Sequence, residues 1–466
     1  MYRGINMKVN CISNNVSFTA GKVSLYSDFD GTYFPVQHSE MHDLKPENAV
    51  ELKNYFNNFG NFLNESGNGF TFRITTGRTF GEFETITDLI RSKGIEMPFP
   101  DTFISKNGSD EFIRIGEGFS DSFPYDYATP NPSKTEKIQS LTGWHAGIKD
   151  KIRELLAKYN FNIIEHDSEY SPVDYGNRSL MYHVPYDNFE LQNKNMPPQS
   201  EWKVGLRKDG TLKLHISFPY DMLNVPERES AYGEIKSLFE EYLEESGVKF
   251  IVEEYRDKKG GNRPVLKYSP KIDGAPLNKL FDTRQAVNEA VLNNDLVIVA
   301  GDGINDFEML NPLNYIDRSD LDDTLKIELS KINPDNIKNI AENPVIVERL
   351  KKLPFVGIVI NNDKNELKNM LQHFQDNLIF IEKGNLQTGV KQAIEKYSAM
   401  SVEFAKSLKN NIEKNVKNSA SNYIVVKPEE SKIVKSSAGK AVGISAGVAA
   451  GLGAIIFALK NDNKKD

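Results

Sequence analysis

Two acidic segments, each placed directly after a strand-like run, constrain the fold of this chain more than any other feature. The segment 28–32 (Asp-Phe-Asp-Gly-Thr) follows the run 23–27, and the segment 301–306 (Gly-Asp-Gly-Ile-Asn-Asp) follows the apolar run 296–300. Short runs bounded by glycine and aspartate are typical of buried strands. In open α/β sheets, sites form outside the carboxyl ends of the strands. The sequence therefore predicts one sheet edge at which several carboxylates meet.

From about residue 22 the chain alternates between strand-like and helix-like patterns. Apolar residues recur at helical spacing over 46–65 and 80–90, and short strands end at Thr76 and before Asn107. A β-α-β-α-β run of this kind predicts an α/β fold with a doubly wound parallel sheet and right-handed crossovers. Between about 111 and 265 the pattern becomes α+β, which predicts a separate, inserted layer.

The length of 466 residues favours more than one domain. The predicted division is a disordered N-terminus (1–20), a core in two parts (21–110 and 266–397), an inserted α+β domain (111–265), a linker (398–437) and a membrane tail (438–466).

Composition limits which binding partners and which cellular compartment we expect for the protein. A net charge of −8 argues against a nucleic-acid partner. Cys11 is the only cysteine, so no disulfide can form within the chain, and residues 1–20 lack the pattern of a secretory signal. The single cysteine and the absence of a signal pattern fit a reducing compartment and predict a cytoplasmic location. They leave the oligomeric state open.

The run 441–459 contains 19 residues without a charge, and glycines recur every four residues from Gly439 to Gly451. A run of this length can just span a bilayer, and that glycine spacing lets helices approach closely. Ten of the 19 residues are Gly or Ala, which makes insertion marginal. We predict an apolar C-terminal helix that tethers the protein to a membrane from its cytoplasmic side. A buried or self-associating helix, or a low-complexity tail, is the alternative.

The residue types in the two acidic segments suit one kind of chemistry. Asp28 can serve as a carboxylate nucleophile and Asp30 as an acid and base, with a hard cation between them. Asp302 and Asp306 lie four residues apart, so both can face one cation if a helix begins there. Mg²⁺ prefers oxygen ligands and takes few carboxylates. The alternative for each residue is an aspartate that belongs to an ordinary turn after a strand.

The pair Asp-x-Asp-Gly-Thr and Gly-Asp-Gly-x-Asn-Asp resembles the haloacid dehalogenase (HAD) superfamily of Mg²⁺-dependent phosphohydrolases. The Thr-Gly-Arg sequence at 76–78 resembles the second motif of that superfamily. This form, together with 104–108, is most similar to the Cof-type and sucrose-phosphate-phosphatase-like branch. The resemblance covers roughly residues 20–397. It implies that the insertion 111–265 is a C2-type cap.

The resemblance also implies roles for individual residues. Asp28 would form an aspartyl-phosphate that water hydrolyses. Asp30 would protonate the leaving group, activate the water and offer its backbone carbonyl to the metal. Thr76 would donate its hydroxyl to a phosphoryl oxygen. The predicted Mg²⁺ ligands are Asp28, Asp30, Asp302 and Asp306, and the predicted substrate contacts are Thr32, Gly77, Arg78 and Asn305.

The superfamily also requires a lysine that stabilises charge on the nucleophile and the phosphoryl group. Lys271 and Lys279 are both candidates. Lys279 lies 23 residues before Asp302, a gap similar to that in relatives, which favours it over Lys271. However, Leu280 follows Lys279 where the superfamily usually has glycine. Either lysine could instead be an ordinary surface charge.

These features together predict a phosphoric monoester hydrolase that acts on a small phosphorylated metabolite. The resemblance implies phosphosugars as the substrate class and Mg²⁺ as the cofactor. Two alternatives stay open, because a fold does not fix a function. One is a membrane-tethered binding or scaffold protein with little turnover, and the other is a phosphotransferase or mutase that uses the same chemistry.

Overall fold

The structure, a computed structural model, describes residues 21–406 apart from a set of gaps. The gaps are 36–44, 118–124, 129–131, 143–147, 160, 167–202, 209–211, 219–225, 246, 248, 258–262, 273–274, 333–335, 362–365, 402–403 and 405. The predicted disordered N-terminus and membrane tail lie outside the described residues. Among the helices that are described, none has both the length and the hydropathy needed to cross a membrane. The predicted apolar C-terminal helix is not among these helices, because its residues lie outside the described part of the chain, and it stays a prediction.

The described strands are, in chain order, β1 (Val23–Ser27), β2 (Phe70–Thr75), β3 (Thr102–Ser105), β4 (Asp110–Glu117), β5 (Tyr125–Ala128), β6 (Asn162–His166), β7 (Lys203–Lys208), β8 (Leu214–Ser217), β9 (Phe250–Asp257), β10 (Arg263–Ile272), β11 (Ala275–Pro276), β12 (Leu296–Gly301), β13 (Phe355–Asn361) and β14 (Leu378–Glu382). The described α-helices are α1 (Pro46–Ser66), α2 (Phe80–Ser92), α3 (Pro132–Thr142), α4 (Ile148–Lys158), α5 (Pro226–Glu245), α6 (Lys279–Asn293), α7 (Phe307–Leu310), α8 (Asp323–Ser330), α9 (Ile337–Ala341), α10 (Pro344–Leu350), α11 (Glu366–Leu371) and α12 (Leu386–Met400).

The first sheet has eight strands in the order β14-β13-β12-β1-β2-β3-β4-β5. The strands from β14 to β3 pair in parallel, whereas β4 and β5 add an antiparallel edge. Chain order reverses between β1 and β12, which makes this pair the topological switch point where α/β sheets bind ligands. The predicted α/β class with a doubly wound sheet is confirmed.

Helices cover both faces of the first sheet, which explains why β12 consists only of buried apolar residues and glycine. On one face, α1, α2 and α12 pack through a cluster that includes Phe56, Phe83 and Val390. On the other face, helices α6 to α11 pack through a cluster that includes Val287 and Leu325. Each fully buried side chain of this size contributes about 1.5–3 kcal/mol. The strand ends are therefore held in fixed positions by the core beneath them.

Local sequence signals set the starts of helices α2 and α6. α2 begins at a capping box, in which Thr79 Oγ1 accepts from Glu82 N at 3.1 Å and the Glu82 carboxylate accepts from Thr79 N at 2.6 Å. α6 begins directly after Asn278, whose side-chain oxygen accepts from Leu280 N at 2.9 Å. These caps fix the backbone just before α2 and at the start of α6.

The second sheet has six strands, β6 to β11. β10 pairs antiparallel with β8, β9 and β11, and β7 joins β8 to β6. Helices α4 and α5 pack on it through a separate cluster that includes Ile152, Phe239 and Tyr268. An α+β layer in this part of the chain is what the sequence predicts, although its division from the core as a domain stays a prediction.

Strand pairing differs from the predicted borders of the insertion. β4 and β5 extend the first sheet to Ala128, beyond the predicted border at residue 111. β10 lies in the second sheet as far as Ile272, beyond the predicted border at residue 265. The reason is physical: an antiparallel strand can pair with the edge of either sheet, and its own sequence does not select which one.

Candidate active site

The two acidic segments meet at the switch point of the first sheet. β1 and β12 are neighbours in parallel register, with Ser27 opposite Ala300. Asp28 N continues this pairing by donating to Ala300 O at 2.9 Å. Because both strands end at the same edge, Asp28 and Asp302 follow them on the same side of the sheet.

Phe29 anchors the first acidic segment to the core. Its fully buried ring stacks on Phe34, with centroids 5.4 Å apart, and meets Phe83 edge-on at 5.8 Å. Since burial of a phenylalanine contributes about 1.5–3 kcal/mol, this anchor fixes the backbone that carries the aspartates on either side. The side chain of Asp28 is 7% exposed, whereas that of Asp30 is 43% exposed.

Gly31 lets the first segment approach the second. Its φ is +75°, and a Cβ atom there would lie 2.2 Å from Asp302 Oδ2, so that a larger residue would displace this carboxylate. Thr32 is fully buried, and its Oγ1 donates to Asp302 Oδ1 at 3.0 Å. Thr32 therefore orients a predicted metal ligand, while its predicted contact with substrate stays a prediction.

Gly31→Ala is expected to weaken Mg²⁺ binding. The added methyl group overlaps the Asp302 carboxylate, and the left-handed backbone adds a cost of about 1–2 kcal/mol. Calorimetric titration should show a loss of affinity of about 10-fold to 100-fold, as for other groups that orient metal ligands. Gly94→Ala is the matched control, because Gly94 is also left-handed (φ +71°) but has open space around it. Equal Mg²⁺ affinity in the two variants would contradict the role of Gly31.

Asp306 is fully buried and accepts three hydrogen bonds. Its Oδ2 accepts from the amides of Asp302 and Gly303, both at 3.1 Å, and its Oδ1 accepts from Lys279 Nζ at 2.7 Å. A carboxylate has about four lone-pair sites, so about one site of Asp306 remains for a metal ion or a water molecule. Gly301 permits this packing, since a Cβ there would lie 2.5 Å from Asp306 Cβ. The main effect of Asp306 is to hold its own loop and Lys279.

Lys279 lies between two carboxylates at the start of α6. Its Nζ is 2.7 Å from both Asp28 Oδ1 and Asp306 Oδ1, and its side chain is 4% exposed. Burial alone would lower the pKa of Lys279, but the two carboxylates outweigh burial and raise that pKa above its ordinary value. The ammonium group therefore stays charged. Lys271, the other candidate, lies on β10 and is half-buried, so the geometry favours Lys279.

The two carboxylate oxygens of Asp28 have different surroundings. Oδ1 accepts from Phe29 N at 2.7 Å and pairs with Lys279. No hydrogen bond from a described residue reaches Oδ2. Burial and the neighbouring Asp306 raise the pKa of Asp28, and Lys279 opposes them. A bound cation would therefore favour the charged, nucleophilic form.

Three carboxylates form a cluster that suits a divalent cation. Ligand oxygens of Asp28, Asp302 and Asp306 all lie within 4.8 Å of one another. Lys279 sets one positive charge against these three negative ones, which leaves an excess that Mg²⁺ would neutralise with the oxygen ligands it prefers. The side chain of Asp30 is not part of the cluster, so its predicted share in the metal site depends on its backbone carbonyl.

Arg78 forms a bidentate ion pair with Asp30. Nε donates to Oδ2 and Nη2 donates to Oδ1, both at 2.6 Å, and the Arg78 side chain is 8% exposed. The guanidinium also lies 5.9 Å from the centroid of the Phe29 ring. This paired geometry fixes the orientation of the Asp30 carboxylate. In the structure the guanidinium of Arg78 pairs with Asp30, the predicted acid and base, and the predicted contact of Arg78 with substrate stays a prediction.

The remaining predicted substrate contacts are Thr76, Gly77 and Asn305, which follow strands β2 and β12 at the same edge of the first sheet. Thr76 is buried at the end of β2, and its Oγ1 accepts from Arg78 N at 3.2 Å, which leaves its hydroxyl proton able to donate. Gly77 and Asn305 are exposed. Contact of these three residues with a phosphoryl group stays a prediction.

Comparison with known proteins gives limited similarity. No family model matches the chain, and no curated protein matches it. Among solved structures, the chain is similar to two crystal forms of trehalose-6-phosphate phosphatase from Aspergillus fumigatus. Crystal form 2 has 12% identity and a TM-score of 0.31, over 76% of this chain and 94% of that chain. Crystal form 3 has 12% identity and a TM-score of 0.33, over 76% of this chain and 93% of that chain.

Proposed function

We propose that this protein is a Mg²⁺-dependent phosphatase of the HAD superfamily that hydrolyses a small phosphorylated metabolite. The observation that carries the proposal is the environment of Asp28. This buried carboxylate has one oxygen without a hydrogen bond from the described residues, a lysine at 2.7 Å, and two aspartates whose oxygens lie within 4.8 Å. An aspartate of an ordinary turn needs none of these neighbours. The motif resemblance supports phosphosugars as the substrate class.

In the first step, Asp28 attacks the phosphorus of the ester in line with the leaving oxygen. Lys279 faces the nucleophile and offsets the charge that the phosphoryl group brings, and Thr76 supplies a hydroxyl donor. Asp30 gives a proton to the leaving alcohol as the ester bond breaks. Before this transfer Asp30 is protonated. In that state it must release one of its two hydrogen bonds with Arg78, because a protonated carboxyl oxygen is a poor acceptor for the guanidinium.

In the second step, Asp30 takes a proton from water, and the water oxygen attacks the phosphorus of the aspartyl-phosphate. The bond to Asp28 breaks, the carboxylate is restored, and inorganic phosphate leaves. The exposures of the two side chains support this division of roles. Asp30 is 43% exposed and can exchange protons with water, whereas Asp28 is 7% exposed.

The acidic cluster fits the metal that the resemblance implies. Bound there, Mg²⁺ would neutralise the repulsion between Asp28 and a phosphate dianion. Asp28 and Asp302 would hold it directly, Asp306 directly or through water, and Asp30 through its backbone carbonyl. The four aspartates all lie in the described part of the chain. The proposal is therefore independent of the predicted membrane tether through 441–459.

The test is a screen of the purified full chain against phosphorylated sugars and other phosphate esters, with phosphate release as the readout. We expect release from at least one phosphosugar in Mg²⁺, its loss in EDTA and its return when Mg²⁺ is restored. A cooperatively folded protein that releases phosphate from no ester in the panel would contradict the proposed activity.

The same screen separates the two alternatives. A binding or scaffold protein would be stabilised against unfolding by a phosphosugar without releasing phosphate. A phosphotransferase or mutase would move the phosphoryl group to a second position or a second sugar, and phosphorus NMR of the products would show it there rather than in inorganic phosphate.

A further inference from the structure

The turn 105–109 joins β3 to β4 with a backbone that most residues avoid. Lys106, Asn107 and Gly108 have φ angles of +49°, +52° and +93°. Three consecutive residues thus adopt the left-handed region, which costs conformational free energy for residues other than glycine. Such strain persists only where the surrounding contacts determine the conformation.

One side of this turn holds the end of β2. Lys106 N donates to Arg78 O at 3.0 Å, and Asn107 N donates to Thr76 O at 2.7 Å. The turn therefore fixes the backbone of Thr76, the residue predicted to donate a hydrogen bond to a phosphoryl oxygen. It also fixes the backbone of Arg78, the residue that orients the Asp30 carboxylate.

The turn also touches the start of α6. A Cβ atom at Gly108 would lie 2.8 Å from Asn278 O, so the turn packs directly against the residue before Lys279. Movement of the turn would therefore displace two separate parts of the candidate active site, the end of β2 and the start of α6.

The other side of the turn is held by Lys213, which lies one residue before β8 of the second sheet. Its Nζ donates to Lys106 O at 2.9 Å and to Asn107 O at 2.8 Å, and the residue is 1% exposed. Next to it, Leu212 N donates to Ser109 Oγ at 3.1 Å. Hydrogen bonds from a charged donor are stronger than neutral ones, and burial strengthens them further. Lys213 thus binds the carbonyls of the two strained residues.

We propose that Lys213 is a positioning residue for the candidate active site. Its ammonium group holds the left-handed turn, and the turn holds Thr76 and Arg78 in place. Lys213, next to β8 of the second sheet, thereby stabilises the candidate active site through the carbonyl oxygens of Lys106 and Asn107. This inference rests on the proposed phosphatase function, because it assigns Lys213 an effect on that reaction.

The test compares Lys213→Met with the wild type in the full chain, with a small aryl phosphate as substrate and saturating Mg²⁺. Methionine keeps the length of the buried side chain but donates no hydrogen bond. We expect kcat to fall on the order of 10-fold to 100-fold, with KM changed by less than about threefold. The reason is that displacement of Thr76 and Arg78 raises the activation barrier more than it weakens substrate binding. Mg²⁺ affinity, which depends on other residues, should stay within about twofold.

Phe239→Leu is the matched control. Phe239 is buried in the apolar cluster of the second sheet, so this change loosens that sheet without altering the hydrogen bonds to the turn. Its kcat with the aryl phosphate should stay within about twofold of the wild type. An unchanged kcat in Lys213→Met, or an equal loss of kcat in both variants, would overturn the proposal.

Amide hydrogen exchange gives a readout that needs no activity. In Lys213→Met, the amides of Lys106 and Asn107 should exchange at least about tenfold faster, while those of Asp302 and Gly303 keep their wild-type rates. If the wild type hydrolyses no phosphate ester, the proposed function fails, and this pattern still decides whether Lys213 holds the turn. Unchanged exchange at Lys106 and Asn107 would overturn that inference.

Discussion

Asp28→Asn is expected to abolish turnover while the protein stays folded. The amide keeps the size of the side chain and its place after β1, but it is not a nucleophile. The loss of kcat should therefore be on the order of 10⁴-fold or more. Initial rates with the best ester of the screen, at saturating Mg²⁺, measure this loss.

Asp28→Asn should change the free energy of unfolding only slightly, because two effects on it oppose each other. Asparagine loses the ion pair with Lys279, but it also removes the unfavourable burial and repulsion that raise the pKa of Asp28. Thermal unfolding checks that the variant is folded. Asp323→Asn, at a side chain that is 95% exposed, is the control and should keep full turnover. Full turnover in folded Asp28→Asn would falsify the nucleophile assignment.

Lys279→Met is expected to lower both turnover and stability. Removal of the ammonium leaves the buried carboxylates of Asp28 and Asp306 facing each other without a cation between them. Loss of one partner from a buried ion pair typically costs about 3–5 kcal/mol. Loss of a charge that stabilises the reacting group typically costs about 10²-fold to 10³-fold in kcat. Denaturant unfolding in EDTA should show the lower free energy of unfolding. Added Mg²⁺ should restore part of the lost stability, because it supplies positive charge.

Lys271→Met is the matched control for this prediction. Lys271 is half-buried on β10 and was the alternative candidate from the sequence. Its substitution should change the free energy of unfolding by about 0.5 kcal/mol or less and should leave kcat close to that of the wild type. A larger loss of kcat for Lys271→Met would transfer the role to that residue, and small equal effects would remove both lysines from the mechanism.

The centre of the fold was predictable because its signals are local. β1 is a short run followed directly by Asp28, β12 is a short run followed directly by Asp302, and parallel neighbours must bring such ends to one edge. The cluster of Asp28, Asp302 and Asp306 follows from that geometry once the strands are recognised. The sequence predicts the edge strands β4 and β5 within the insertion, whereas they pair with the first sheet, because an alternating strand can pair with either sheet and only the tertiary fold decides which.

The contacts that orient the site were not predictable in the same way. Arg78 and Asp30 are 48 positions apart and meet only because β1 and β2 are neighbours. The asparagine and glycine at 107–108 indicate a turn, but no sequence rule places a lysine such as Lys106 at a φ of +49°. Its strain is balanced by Lys213, which lies 107 positions further along the chain.

Phosphorylation of Asp28 during turnover is the most direct test of the proposed mechanism. In Asp30→Asn, an aryl phosphate with a good leaving group should still react with Asp28, because such a group departs without a proton. The second step should then stall, because no base activates the water. After an acid quench, mass spectrometry should find one phosphoryl group on the peptide that contains Asp28. Phosphate release without any phosphorylated peptide, or a phosphoryl group on another residue, would contradict the mechanism.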